Sequence, residues 1–268
     1  MAQNIAIVTG SKGGVGTTTV AVNLGVQLAG QSRKRVGLLD LARPFGQISM
    51  MLDLEPRFTI LDALERIERL DASALASLAM KHKAGIEILA GPLHAPMKPD
   101  QRQSVTLSAL TRLVEISSRA FDWVVIDMGV VNAAEWAPVL CAAGTILLVA
   151  EPSALALGMI HRHIAVAGAA GVNCERISIV ANRWRQNDGE ALANFERMYN
   201  QKVLKRLPND YRQVTEAVAL GTPLVGSSSN ALLSRYRELA SWLLSRADGS
   251  AEPAQPLAKT KYWSTPAT

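Results

Sequence analysis

A glycine-rich run near the N-terminus has the residue types of a phosphate-binding loop between a strand and a helix. It follows Ile5-Ala6-Ile7-Val8 and has the sequence Gly10-Ser11-Lys12-Gly13-Gly14-Val15-Gly16-Thr17-Thr18-Thr19. In the ordinary loop, backbone N–H groups face the phosphates, a lysine after the last glycine reaches the terminal oxygens, and the next hydroxyl binds Mg²⁺. Here Thr17 occupies that lysine position, the lysine of the loop is Lys12, and Thr18 keeps the hydroxyl. We therefore expect phosphate binding with altered charge compensation at the terminal phosphate.

Two aspartates end apolar runs that we predict to be strands. Asp127 closes Trp123-Val124-Val125-Ile126-Asp127, and Asp40 closes Val36-Gly37-Leu38-Leu39-Asp40. In an open parallel sheet, ligands collect at the carboxyl ends of the strands. Asp127 fits the Walker B pattern, in which a carboxylate holds the water shell of Mg²⁺. The alternative for either aspartate is that it only caps a following helix.

Composition indicates one α/β domain with a large core. The chain has 268 residues, of which 49% are hydrophobic and 19% are charged, and this balance is typical of a globular protein. The formal net charge of +5 comes without a block of basic residues, so charge alone indicates neither a nucleic-acid nor a membrane partner. Cys141 and Cys174 show no ligand spacing, which fits a reducing cytosol. We see no secretory signal or apolar membrane-spanning run and expect a cytoplasmic protein.

Short apolar runs alternate with helical patterns along the chain. This alternation predicts an α/β fold with a doubly wound, mostly parallel sheet and helices on both faces, as in P-loop NTPases. The predicted strands are residues 5–9, 36–40, 86–90, 123–127, 145–150, 177–181 and 203–206. The predicted helices are residues 17–29, 60–69, 103–119, 154–169, 189–199, 212–220 and 230–245. We expect residues 1–247 to form the domain and residues 248–268, rich in Pro, Ala, Ser and Thr, to be a disordered or loosely docked tail.

The stretch Lys12-Gly13-Gly14-Val15-Gly16 resembles the deviant Walker A motif of the MinD/ParA (SIMIBI) ATPases. The resemblance implies that ATP and Mg²⁺ are cofactors and that two chains form a homodimer around ATP, with Lys12 crossing to the partner's phosphates. The resemblance also implies that Thr18 and Asp127 bind the Mg²⁺ ion. It also implies that the nucleotide is bound by Ser11, Lys12, Gly13, Gly14, Val15, Gly16, Thr17, Thr18 and Thr19. The form GGVGTTT is similar to the CpaE/TadZ proteins of Tad (type IVc) pilus assembly and to the BcsQ proteins of cellulose secretion.

Two charged groups of that family are missing from this chain. The family keeps a second lysine where Thr17 stands. Asp40 matches the first aspartate of the family's Walker A′ motif. The resemblance implies that a second aspartate, two residues later, positions the attacking water, and here Ala42 stands in its place. Lys12 and Asp40 remain as candidate catalytic residues. Because phosphoryl transfer depends on positioning and charge stabilisation, we expect slow hydrolysis or none, with nucleotide binding retained.

The C-terminal half carries candidate base-binding residues. Asn182, in Ile179-Val180-Ala181-Asn182-Arg183, matches the asparagine with which MinD/ParA proteins recognise adenine; the alternative is an Asx turn after a strand. Arg183 lies next to it. The passage around Pro208 and Asn209 looks like the CpaE/TadZ version of the loop that covers the base. The resemblance extends over about residues 3–246.

The resemblance favours a nucleotide switch that acts as a localisation or assembly factor for a Tad pilus, together with pilus or other secretion-complex proteins. The alternatives are an active ATPase for DNA partitioning or for positioning a cellulose-secretion complex, and a scaffold without nucleotide binding. DNA binding has no clear motif. A cationic-aromatic group in the tail, Lys259, Lys261, Tyr262 and Trp263, is a candidate for peripheral membrane association; the alternative is a solvated tail. We expect a cytoplasmic location, at the cell pole or at the inner face of the inner membrane.

Metal sites of other kinds are not predicted. His82, His94, His161 and His163 are dispersed, and residues two apart on a helix do not share a face. Iron-protein relatives in the same superfamily bridge a cluster with cysteines after the Walker B strand, whereas here no cysteine follows Asp127 closely.

Overall fold

The protein folds around one eight-stranded sheet in the order β3-β4-β2-β5-β1-β6-β7-β8. The structure, a computed structural model, describes residues 2–92, 105–226 and 229–250. All neighbouring strands are parallel except β3 and β4. The strands are β1 Ala2–Gly10, β2 Val36–Asp40, β3 Met80–Lys81, β4 Ile86–Leu89, β5 Trp123–Asp127, β6 Ala143–Ala150, β7 Ile177–Trp184 and β8 Val203–Pro208.

Helices connect the strands and cover the sheet. Within the described residues they are α1 Thr17–Ser32, α2 Ile48–Met51, α3 Ile60–Glu65, α4 Ala72–Leu78, α5 Leu107–Ala120, α6 Ala137–Ala142, α7 Ala154–Ala169, α8 Gly189–Tyr199, α9 Tyr211–Ala219 and α10 Ala231–Ala247. Hydroxyl and acidic side chains cap several of them; Thr106, for example, accepts a hydrogen bond from the backbone of Ala109 at the start of α5. Such caps satisfy N–H groups that a helix leaves without partners.

The sheet is buried on both faces. Along β1, Ile5 and Ile7 belong to one core and Ala6 and Val8 to the other, because successive side chains of a strand point to opposite faces. The first core includes side chains of α3 to α8, and the second includes those of α1, α2, α9 and α10. A central strand covered on both faces is apolar throughout, which explains why the strands appear as continuous apolar runs. The predicted doubly wound fold is confirmed.

The differences from the predicted elements concern short segments. The helices α2, α4 and α6 and the strand β3 were not predicted, because they have between two and seven residues and show too little periodicity. The predicted helix 60–69 ends at Glu65. The predicted helix 103–119 begins at Leu107 among the described residues, whereas residues 103–104 lie outside them. Most of the predicted tail, residues 251–268, also lies outside the described residues.

The strand order brings the ends of distant segments together. β1 lies between β5 and β6, so the loop after Gly10 is flanked by the ends of those two strands. Asp40 on β2 is in register with Asp127 on β5. This edge of the sheet is where ligands bind in doubly wound folds. Within the parts of the chain that the structure covers, no helix is both long and apolar enough to cross a membrane.

Candidate functional site

The phosphate-binding loop is a tight turn from β1 into α1. Gly14 and Gly16 have left-handed backbones, with φ of 77° and 90°, which glycine adopts without strain. The N–H of Gly10 donates to the carbonyl of Gly129 at 2.8 Å, and that of Ser11 donates to the carbonyl of Val149 at 2.8 Å. No side chain caps α1 at Gly16, so the first N–H groups of this helix are suited to an anion.

The predicted metal-binding residues lie next to each other. Thr18 Oγ1 donates to Asp127 Oδ2 at 2.5 Å, and the N–H of Gly129 donates to Asp127 Oδ1 at 3.1 Å. Asp127 is fully buried, and burial raises the pKa of its carboxyl. A hydroxyl and a carboxylate that converge are hard oxygen donors of the kind that Mg²⁺ prefers. The residues present therefore fit a magnesium ion.

Asp40 is a buried anchor for the loop that follows β2. Its Oδ1 accepts a hydrogen bond from the N–H of Ala42 at 3.1 Å, and its Oδ2 accepts one from the N–H of Ile48 at 2.9 Å. Burial, and then the nearby charge of Asp127, raise the pKa of the Asp40 carboxyl to about 7. Both carboxylate oxygens of this candidate catalytic residue thus accept backbone hydrogen bonds. Ile48 is the first residue of α2, so the second bond is of the helix-capping kind that the sequence left as the alternative. Its catalytic role remains a prediction.

The two positions where charged groups were expected are small and buried. Thr17 is 7% exposed and Ala42 is 4% exposed. Neither side chain supplies a charge. Among the loop residues from Gly10 to Thr19, Lys12 is the one that carries a positive charge.

Lys12 is paired within its own chain. Its Nζ lies 2.9 Å from Glu151 Oε2, and Arg183 Nη1 lies 2.7 Å from Glu151 Oε1. The hydrogen bond from Lys12 is the main cause that lowers the pKa of Glu151. Glu151 was not predicted, although it directly follows β6; the strand-end rule that selected Asp40 and Asp127 would have found it.

Asn182 contacts the phosphate-binding loop directly. It is 7% exposed, and its Nδ2 donates to the carbonyl of Val15 at 2.7 Å. A Cβ at Gly16 would collide with this amide, so the close approach requires glycine there. One amide hydrogen is therefore engaged by the loop, while the amide oxygen and the second hydrogen remain as groups that can pair with a purine edge.

The candidate base-binding residues line one pocket of about 80 Å³ beside the loop. Asn209 is fixed at its rim, since its N–H donates to the carbonyl of Trp184 at 2.8 Å. Leu232 and Tyr236 of α10 also line the pocket and were not predicted. Its lining includes the predicted residues Gly16, Thr19, Asn182, Arg183, Pro208 and Asn209.

Two further contacts to the site were not predicted. Gln47 Oε1 lies 3.3 Å from Thr18 Oγ1, and His163 Nε2 lies 3.1 Å from the carbonyl oxygen of Ser11. Neither contact can be predicted from a local sequence motif, because each joins residues that lie far apart in the sequence. His161 instead stacks on Tyr199, with ring centroids 4.4 Å apart. Among the described residues, no group of three His, Cys, Asp or Glu side chains could hold a metal ion.

Comparison with known proteins agrees with this geometry. The family model ParA, described as the NUBPL iron-transfer P-loop NTPase, matches residues 1–240. A septum site-determining MinD protein of Nephroselmis olivacea is 28% identical over 233 residues, covering 84% of this chain and 80% of that protein.

Two solved structures share the fold. The ParA family ATPase of Chlorobium tepidum TLS has a TM-score of 0.80 at 20% identity, covering 90% of this chain and 99% of that one. The MinD of Pyrococcus horikoshii OT3, solved with Mg-ADP, has a TM-score of 0.72 at 22% identity, covering 92% of this chain and 98% of that one. With its phosphate-binding loop, the Thr18–Asp127 pair and a family match over most of its length, this chain belongs to the ParA/MinD family of P-loop NTPases.

Proposed function

We propose that this chain is an ATP-dependent switch that binds ATP and Mg²⁺ between two copies and hydrolyses ATP slowly or not at all. The observation that carries the proposal is the contrast within one site. Thr18 and Asp127 are in contact at 2.5 Å, whereas Thr17 and Ala42 offer no charge where the family has a lysine and an aspartate.

Each retained group has a definite task. The N–H groups at the start of α1 bind phosphate oxygens, and Thr18 and Asp127 hold the metal. Mg²⁺, when bound, neutralises phosphate charge. Asn182 pairs with the base, framed by Arg183, Pro208 and Asn209. The proposed binding of ATP therefore uses groups from three parts of the chain: the phosphate-binding loop with the start of α1, the end of β5, and the segment from β7 to Asn209, directly after β8.

Lys12 supports the dimer part of the proposal. It is 39% exposed and bonded to Glu151 at 2.9 Å, so it can leave that carboxylate to reach a phosphate of a second copy. A partly exposed ion pair contributes only about 0.2–1 kcal/mol, and a nucleotide phosphate offers Lys12 a charge-assisted hydrogen bond of the same kind.

The cellular role is a localisation or assembly factor for a Tad pilus, with a location in the cytoplasm at the cell pole or inner membrane face. It is supported by the CpaE/TadZ-like loop form and by the passage around Pro208. The second candidate is an active ATPase that partitions DNA or positions a cellulose-secretion complex. The similarity to a septum site-determining protein is compatible with both candidates, because a pilus localisation factor and a partitioning or cellulose-positioning ATPase all position something in the cell. Deleting the gene should abolish piliation and leave chromosome partition and cellulose output unchanged.

Nucleotide binding is tested by calorimetric titration of ATP with and without Mg²⁺. Thr18→Ala should reduce the Mg²⁺-dependent affinity roughly 10- to 100-fold, because the metal loses a hydroxyl ligand. Thr111→Ala, which removes a hydroxyl on α5 that donates to Leu107, is the matched control. A parent that binds ATP equally well without Mg²⁺ would contradict the proposed metal site.

Dimerisation is tested by sedimentation with a non-hydrolysable ATP analogue. The parent should dimerise only with nucleotide. Lys12→Ala should weaken dimerisation more than it weakens nucleotide binding by the monomer, because the side chain acts on the partner's phosphates. A parent that stays monomeric under saturating nucleotide would refute the sandwich dimer.

A further inference from the structure

Gln47 places an amide beside the metal-binding hydroxyl. Thr18 Oγ1 is 2.5 Å from Asp127 Oδ2 and 3.3 Å from Gln47 Oε1. A hydroxyl has one hydrogen, and the shorter contact takes it. The longer contact therefore suits an amide turned so that its NH₂ group donates to Thr18, since amide orientation is assigned from the hydrogen-bond network. Gln47 is exposed, so its other polar atom is accessible to water.

The backbone that carries Gln47 is held on several sides. The buried carboxylate of Asp40 accepts a hydrogen bond from the N–H of Ile48, the residue after Gln47, at 2.9 Å. The N–H of Gly46 donates to the carbonyl of Pro92 at 2.9 Å, and the carbonyl of Gln47 accepts from the N–H of Met51 in α2 at 2.9 Å. The fixed backbone, together with the contact between the Gln47 amide and Thr18, limits where the free end of this amide can lie.

We propose that Gln47 positions the attacking water in this chain, a task that the methyl group of Ala42 cannot perform. The inference rests on the proposed ATP-binding function. A side-chain amide donates to and accepts from one water molecule, so it orients the water without acting as a base, as a glutamine does in GTPases. Asp40 then has a structural role in the same step, because its hydrogen bonds to Ala42 and Ile48 fix the loop that carries Gln47.

The chemical step is ordinary hydrolysis. The water oxygen forms a bond to the γ-phosphorus, and the bond from that phosphorus to the β–γ bridging oxygen breaks with its electron pair left on ADP. The water proton passes to an oxygen of the phosphate product. Gln47 holds the water in line with the breaking bond, which lowers the entropy cost of the attack.

The test compares Gln47→Ala with the parent and with Met50→Ala. Met50 is 80% exposed in α2, the short helix that begins directly after Gln47, so it controls for changes to this segment. Gln47→Ala should lower kcat about ten-fold or more while KM and the affinity for a non-hydrolysable ATP analogue stay within about two-fold. It should also weaken binding of ADP with aluminium fluoride about ten-fold, since that complex mimics the transferring phosphoryl group and its in-line water. Met50→Ala should match the parent.

A rescue variant separates water positioning from a structural role. Adding Ala42→Asp to Gln47→Ala should restore turnover and aluminium fluoride binding, because the carboxylate provides another acceptor for the water. The inference is overturned if Gln47→Ala keeps the parent's turnover, if it loses ATP-analogue and aluminium fluoride affinity equally, or if the parent binds ATP without measurable hydrolysis. A parent that does not bind ATP at all refutes the proposed function together with this inference.

Discussion

Two parts of the candidate site, the predicted metal-binding corner and the predicted surroundings of the terminal phosphate, differ in how they are built. At the metal corner, Thr18 and the buried Asp127 are in contact at 2.5 Å, the arrangement of an ordinary P-loop site. Around the terminal phosphate, Thr17 and Ala42 are uncharged, and Lys12 is bonded to Glu151 at 2.9 Å. One corner keeps the usual groups, and the other has lost two of them and has its remaining cation paired.

Under the proposed function, this difference means that nucleotide binding and hydrolysis depend on separable groups of one site. Phosphate binding relies on backbone N–H groups and on a helix N-terminus, which survive changes of side chain. Rate enhancement relies on charged side chains at defined positions. A sequence can therefore lose hydrolysis while it keeps the nucleotide, and a protein that needs a long-lived bound state benefits from that loss.

The largest expected effect comes from restoring the missing charges. Thr17→Lys places an ammonium near the β- and γ-oxygens, and Ala42→Asp returns a carboxylate that can orient water. The double variant should hydrolyse ATP on the order of a hundred-fold faster than the parent, with each single change giving less, since groups that act together are non-additive. Phosphate release at saturating ATP measures it.

Both replaced positions are buried, so a larger charged side chain there can destabilise the fold. Thermal unfolding of each variant is therefore the control for a loss of folded protein. A parent that already turns over as fast as the double variant would remove the contrast between the two corners, because Lys12 would then be sufficient.

A smaller effect is expected at the base pocket. Asn182→Ala should reduce the preference for ATP over GTP about ten-fold, within the ~1–3 kcal/mol that one bidentate amide–base pair provides. Its contact with the carbonyl of Val15 is lost as well, so affinity for both nucleotides should fall slightly. Competition binding of ATP and GTP measures the ratio, with Asn194→Ala on α8 as the control. An unchanged ratio would exclude Asn182 from base recognition.

The smallest expected effect concerns the paired cation. Glu151→Gln should strengthen nucleotide-dependent dimerisation a few-fold, because Lys12 is released from a partly exposed pair that contributes about 0.2–1 kcal/mol. Glu238→Gln is the matched control, since Glu238 also pairs with two cations, Lys205 and Arg235, each at 2.8 Å. Sedimentation equilibrium gives both dimer constants. Weaker dimerisation of Glu151→Gln would instead mean that Glu151 orients Lys12 for the partner.

The fold was predictable because its signals are local and repeated. Strands buried on both faces require continuous apolar runs, and the loop glycines lie together in the sequence. The elements that escaped prediction, such as α2 Ile48–Met51, are too short to show a period. Asp127 was predictable as a strand end, and its place next to Thr18 agrees with the motif.

By itself, the sequence determined which groups are present: a phosphate loop with Lys12 displaced, Thr17 and Ala42 without charge, and aspartates at two strand ends. Only the tertiary structure decided what these groups contact. Gln47 meets Thr18 across 29 residues of chain, and His163 meets Ser11 across 152. The physical reason is that strand order and register choose the neighbours of each strand end, and these pairings are made by packing between segments far apart in the sequence.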